Sequence, residues 1–128
     1  MRNADFGLRK TELTERTLQF GIRCIKLAEG LPKSLSGQVL AKQLIRSGTS
    51  VGANYRVACR ARSRAEFVAK LGIVEEECDE TLYWMNVISK LQMVPSSKLE
   101  KLSKEGDEIL SIIISSIKTA RQNAKSSA

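Results

Sequence analysis

The sequence predicts an all-α protein, an up-down-up-down four-helix bundle. Three observations carry the prediction. Only two prolines, Pro32 and Pro95, interrupt 128 residues, so the chain divides into a few long segments. Apolar residues recur at three-and-four spacing over four stretches of about 20 residues or more, the period of helices with one buried face. The connections between those stretches are short, which makes consecutive helices antiparallel neighbours. At this length a single domain can hold one core.

Residues 1–10 are polar and read as a flexible segment ahead of a bundle at residues 11–122. The first helix begins near Thr11, whose hydroxyl can cap free amides, with Glu12 and Glu15 well placed against the positive end of the helix dipole. Leu13, Thr17, Phe20, Cys24, Leu27, Ala28 and Leu31 form its buried face, and Gly30 and Pro32 end it. In the linker LPKSLSG, Ser34 and Ser36 are both possible caps for a second helix at about residues 36–61. Its apolar face holds Leu40, Leu44, Gly48, Val51, Tyr55 and Ala58, widened by Ala41, Ile45, Gly52 and Cys59. Ser47, Gly48, Thr49, Ser50, Gly52 and Ala53 are all small and poor for isolated helix stability. They permit either close approach of a neighbouring helix or a kink at Gly48 or Gly52.

Ser63 and Glu66 match the S-x-x-E capping box, which opens a third helix at Arg64. It runs to about Val94, with Phe67, Leu71, Val74, Cys78, Leu82 and Met85 as core stripe. Trp84, Ile88 and Leu91 lie beside that stripe as a second apolar surface. Pro95 closes the helix, and Ser97 with Glu100 repeats the capping spacing for a fourth helix at 97–122. Leu99, Leu102, Gly106, Ile109, Ile113 and Ile117 line that helix. Residues 123–128 read as a disordered tail.

The net charge of +7 and pI near 9.6 favour acidic partners such as nucleic acid. From Lys42 to Lys70 the basic residues are Lys42, Arg46, Arg56, Arg60, Arg62, Arg64 and Lys70, against Glu66 alone. Lys42, Arg46, Arg56 and Arg60 share a stripe about 80° wide on the second helix. Arginine suits phosphate because its planar fork makes paired hydrogen bonds, and such a stripe tracks a nucleic-acid backbone without reading its sequence. The acidic run Glu75, Glu76, Glu77, Asp79 and Glu80 offers the same arginines a competing role as ion-pair partners. Tyr55 and Trp84 are either base-stacking rings or packing residues, and both sit at helical core spacing.

Catalysis finds little support. The chain has no histidine, hence no usual neutral-pH base and no commonest metal ligand. Di-iron bundles need Glu-x-x-His pairs, and calcium loops need a glycine-bearing loop where this acidic run is helical. Gly48-x-x-x-Gly52 lies in a helix and lacks the Lys-Ser or Lys-Thr of a phosphate-cradling loop. Cys24, Cys59 and Cys78 form no C-x-x-C pair and fall among apolar neighbours. No enzyme activity, metal or cofactor is expected. The N-terminus lacks a signal-peptide apolar region, and no window of about 18 apolar residues exists to span a membrane, so a reduced cytoplasmic setting is expected.

The run QLIRSGTSVGANYRVACRARSRAEFVAKLGIVEEECDETLYWM resembles the four-helix-bundle family encoded in intervening sequences of large-subunit ribosomal RNA genes. ERTLQFGIRCIKL and LPKSLSGQVL extend the resemblance to about residues 13–120, and the RSGTSVGANY, RARSRAEF and ETLYWM blocks appear in family order. The resemblance implies a compact bundle assembling into a homopentamer. That assembly would account for the wide apolar arcs, making Ile45, Gly52, Cys59, Trp84, Ile88 and Leu91 interface candidates. A related branch, the accessory variability determinant of diversity-generating retroelements, is a basic pentamer that binds nucleic acid and a reverse transcriptase. By that analogy Arg46, Arg56, Arg60, Arg62 and Arg64, with Lys42 on the same stripe, would contact RNA or DNA. The competing implication is an adaptor for a protein partner such as a reverse transcriptase, with the arginines used in subunit pairing.

Overall fold

The structure is a computed structural model that describes the backbone of residues 2–127 and the side chains of residues 10–123. Four helices follow in order: α1 (Arg2–Glu29), α2 (Leu35–Cys59), α3 (Arg64–Lys90) and α4 (Ser96–Ser127). Each packs extensively on the next in sequence, and a thinner α1–α4 seam closes the bundle. Phe20, Leu44, Leu71, Ile88, Ile109 and Ile113 are fully buried at its centre.

Local chemistry sets the boundaries. Ser34, not Ser36, caps α2: its hydroxyl accepts from the Gly37 N–H at 3.2 Å, the bond that satisfies one of the free first-turn amides. Ser63 caps α3 and accepts from the Glu66 N–H at 3.1 Å. The reciprocal bond reaches one residue further back than a simple capping box, from the Arg62 N–H to Glu66 Oε2 at 3.4 Å. At the other end α3 stops at Lys90, four residues short of Val94. Gln92 turns into the left-handed region at φ 54°, its N–H donates to Ser89 O at 3.0 Å, and the Met93 N–H donates to Ile88 O at 3.3 Å. These two bonds make a Schellman closure around glutamine where glycine is usual. Met93 and Val94 then fold back against the core.

Two helix starts also differ from expectation. α4 begins at Ser96, with the Lys98 N–H donating to Pro95 O at 3.0 Å, which places Ser97 inside the first turn instead of at the cap. α1 begins at Arg2 and carries Thr11 within it; no proline lies in this stretch to stop the helix. The expected flexible segment and tail fall largely on side chains outside the described residues.

The small residues of α2 serve close packing, and α2 runs through them as one continuous helix. A Cβ added to Gly48 would lie 2.6 Å from Cys24 Sγ, and one added to Gly52 would lie 3.2 Å from the Thr17 backbone. Gly21 faces them from α1, where an added Cβ would come within 3.3 Å of Gly48 O. The buried hydroxyls nearby do not strain the core, because each bonds a carbonyl of its own helix: Thr17 to Thr14 O at 3.1 Å, Ser47 to Gln43 O at 2.8 Å, Thr81 to Glu77 O at 2.7 Å.

Candidate functional site

Antiparallel connection places the N-termini of α1 and α3 at the same end of the bundle as the C-termini of α2 and α4. Arg56 and Arg60 lie at the end of α2, Arg62 in the turn, and Arg64 opens α3. All four are exposed. α1 adds Lys10, whose Nζ donates to Cys59 O at 2.7 Å, a cation set on the negative end of the α2 dipole. α4 adds Lys118 and Arg121, both exposed. The last three cations come from parts of the chain remote from the arginine cluster, so no local spacing reveals them.

The stripe expected along α2 is divided. Arg46 pairs across the α2–α3 groove with Glu77 at 3.3 Å and, in close contact, with Glu80. Glu80 Oε2 also accepts from Trp84 Nε1 at 2.9 Å. Thus Arg46 takes the pairing role that the acidic run offered, and Trp84 is fixed in the same network. Lys42 is exposed on the outer face of α2, away from the basic end. Among the described residues, no ion pair joins Arg56, Arg60 or Arg62 to a carboxylate. Tyr55 is buried; burial, then its bond with the Cys59 thiol, raises its hydroxyl above the ordinary range.

Beside Arg64, residues from all four helices line an open cleft of about 830 Å³. Leu13, Tyr55, Phe67 and Ile112 supply apolar wall, Ser115 and Thr119 supply hydroxyls, Lys10 and Arg64 bring positive charge, and Glu12 brings a carboxylate. At its α1–α4 side Arg16 bonds Glu105 at 2.6 Å and Glu108 at 2.9 Å. The hydrogen bond from Arg16 holds the Glu105 carboxyl below its ordinary value, and the same bond raises Arg16.

The three cysteines differ in access. Cys24 and Cys78 are buried, which pushes each thiol up to about 12, whereas Cys59 is half-buried on the cleft wall. Among the described residues no group of three His, Cys, Asp or Glu side chains is placed to hold a metal ion, and no helix is long and apolar enough to cross a membrane.

The interface candidates separate by burial. Ile88 is fully enclosed within its own chain, so it has no surface to offer a second copy. Gly52 backs onto α1. Ile45, Cys59 and Trp84 pack partly buried against the core, and Leu91 is 54% exposed. Leu35 and Val39, which the core-face spacing passed over, are more informative: 84% and 50% exposed, they lie at the same end of the bundle as Leu91.

The model of the family described as 23S rRNA-intervening sequence protein matches residues 9–115. The chain belongs to this family. A solved structure agrees with the fold: a protein with unknown function from the S23 ribosomal protein family of Bacteroides thetaiotaomicron VPI-5482 is 35% identical, with a TM-score of 0.79. The alignment covers 85% of this chain and 97% of that chain. No curated protein matches. The 23S rRNA-intervening sequence match includes Lys10 and the Arg56–Arg64 cluster, while Lys118 and Arg121 lie beyond it.

Proposed function

We propose that this intervening-sequence family protein binds nucleic acid without sequence preference, through phosphate contacts at the basic end of the bundle. One observation carries the reading: the fold gathers Arg56, Arg60, Arg62 and Arg64 with Lys10, Lys118 and Arg121 at one end. Arginine forks there meet phosphate oxygens in pairs, and displaced counterions drive the association. RNA and DNA both satisfy this chemistry. The role is binding and not catalysis, in a chain with no histidine.

Leu35, Val39 and Leu91 favour a second property, self-assembly through the opposite end of the α2–α3 face. A homopentamer, as in the family resemblance, would repeat the basic end around a ring and add weak phosphate contacts through multivalency. The exposed apolar residues equally offer a surface to a protein partner such as a reverse transcriptase, and the oligomeric mass of the isolated protein separates the two. Binding to labelled RNA and duplex DNA, measured by fluorescence anisotropy across salt concentrations, tests the main reading. Affinity should fall linearly with log salt. Replacing Arg56, Arg60 and Arg62 by Gln should lower the slope by roughly 0.9 for each duplex phosphate that is no longer neutralised. An unchanged slope would exclude this end as the binding surface.

A further inference from the structure

We infer that the outer side of α3 is a docking surface for a partner protein, which lays a lysine- or arginine-bearing amphipathic helix along it. Ile73, Glu76, Glu80, Tyr83 and Val87 follow one another at three-and-four spacing and so form one row on α3. At 1.5 Å per residue the row is about 21 Å long. None of the five is fully enclosed. Ile73 is 37% and Tyr83 59% exposed, and beside them a Cβ added to Gly72 would meet nothing within 4 Å.

The middle of the row is held from behind. Glu80 is bound by Arg46 and accepts from Trp84 Nε1 at 2.9 Å, while Trp84 packs edge-on to Tyr83 with ring centroids 5.0 Å apart. The exposed phenol ring is therefore fixed before a partner arrives, which lowers the entropy lost on contact.

Charge decides the kind of partner. Arg46 neutralises Glu77 and Glu80. Glu76 and Asp79 are exposed, and among the described residues no ion pair engages either of them. On a chain of net charge +7 they make a local field of opposite sign. Phosphate is repelled from this side. A partner's lysine or arginine meets both the carboxylates and the ring of Tyr83, and its apolar residues meet Ile73 and Val87, one helix laid along another. A second copy of this chain is the poorer fit, because it brings a further +7 and gathers its unpaired arginines at one end of the bundle. The α3 row stands apart from that basic end, so both surfaces can be occupied together.

The test titrates the full chain with a labelled helical peptide that carries leucine at three-and-four spacing and lysine elsewhere. The same peptide with glutamate in place of lysine is the control. Trp84 is the chain's single tryptophan, so its fluorescence should change with the lysine peptide and not with the control. Glu76→Gln combined with Asp79→Asn should weaken lysine-peptide binding about tenfold, two exposed charge pairs lost together. Tyr83→Ala should weaken it several-fold and Tyr83→Phe should not, since the ring carries the contact. All of these positions are exposed, and unchanged helical content confirms the fold of each variant.

Equal affinity for the wild-type and the Glu76→Gln, Asp79→Asn chains overturns the inference, as does peptide binding that leaves Trp84 fluorescence unmoved. An oligomer of the isolated chain that dissociates on Glu76→Lys with Asp79→Lys overturns it in favour of a second copy. Replacing Arg56, Arg60 and Arg62 by Gln should leave lysine-peptide affinity undiminished, so this surface and the phosphate-binding end stand or fall separately.

Discussion

Substituting alanine at Gly48 and at Gly72 should move stability in opposite directions, although both residues lie in helices. Alanine is better than glycine in a helix interior by about 1 kcal/mol. At Gly72 nothing lies within 4 Å of the added Cβ, so the full gain should appear. At Gly48 the new Cβ falls 2.6 Å from Cys24 Sγ and 2.7 Å from Cys24 Cβ. A rotamer change moves the sulfur, but the Cβ is fixed to the α1 backbone, so the helices must part. Overpacking of this kind costs about 1–3 kcal/mol. Subtracting the propensity gain leaves Gly48→Ala destabilised by roughly 0–2 kcal/mol, against a gain of about 1 kcal/mol at Gly72. Urea unfolding at equal protein concentration measures both, with unchanged m-values confirming that only stability moved. Adding Cys24→Gly to Gly48→Ala removes both clashing atoms. The double variant should therefore show a favourable coupling of about 0.5–3 kcal/mol relative to the two singles. Gly48→Ala stabilising as much as Gly72→Ala, with no coupling to position 24, would refute the close α1–α2 approach.

Ser63→Ala removes the hydroxyl that accepts from the Glu66 amide and should lower stability by about 1 kcal/mol in the same unfolding assay. Glu105 has a carboxyl lowered on folding, so its contribution is present above its unfolded value and is lost as pH falls through the folded one. Stability should decline on acidification below the ordinary value of 4.5, and Glu105→Gln should flatten that decline. Iodoacetamide on the native protein, read by mass spectrometry, should modify Cys59 first. Burial leaves Cys24 and Cys78 few thiolates, their values being pushed up to about 12.

Much of the architecture is legible because its determinants are local. Ser63 and Glu66 fix the start of α3 through bonds that span three and four residues, and such spacing is visible in any single chain. The end of α3 is not, because Gln92 occupies the left-handed position that glycine ordinarily marks. The small residues of α2 are compatible with a kink or a close neighbour, and only the approach of Thr17, Gly21 and Cys24 from α1 decides it. The arginine cluster is visible as composition, but its partners depend on topology. Arg46 turns to Glu77 and Glu80, 31 and 34 residues away, while Lys10 arrives beside Cys59 from 49 residues away. No periodicity within one helix encodes either outcome.

The interlocked glycines also have a temporal consequence. Gly21, Gly48 and Gly52 bring the main chains of α1 and α2 too near for solvent to pass between them, whereas α4 meets α1 along a thinner seam pinned by Arg16. Opening events that admit water should therefore begin with α4 lifting from α1, and the central amides of the α1–α2 hairpin should exchange with deuterium last, at the free energy of global unfolding. The hairpin is the slow clock of the molecule, and the fourth helix is its fast one.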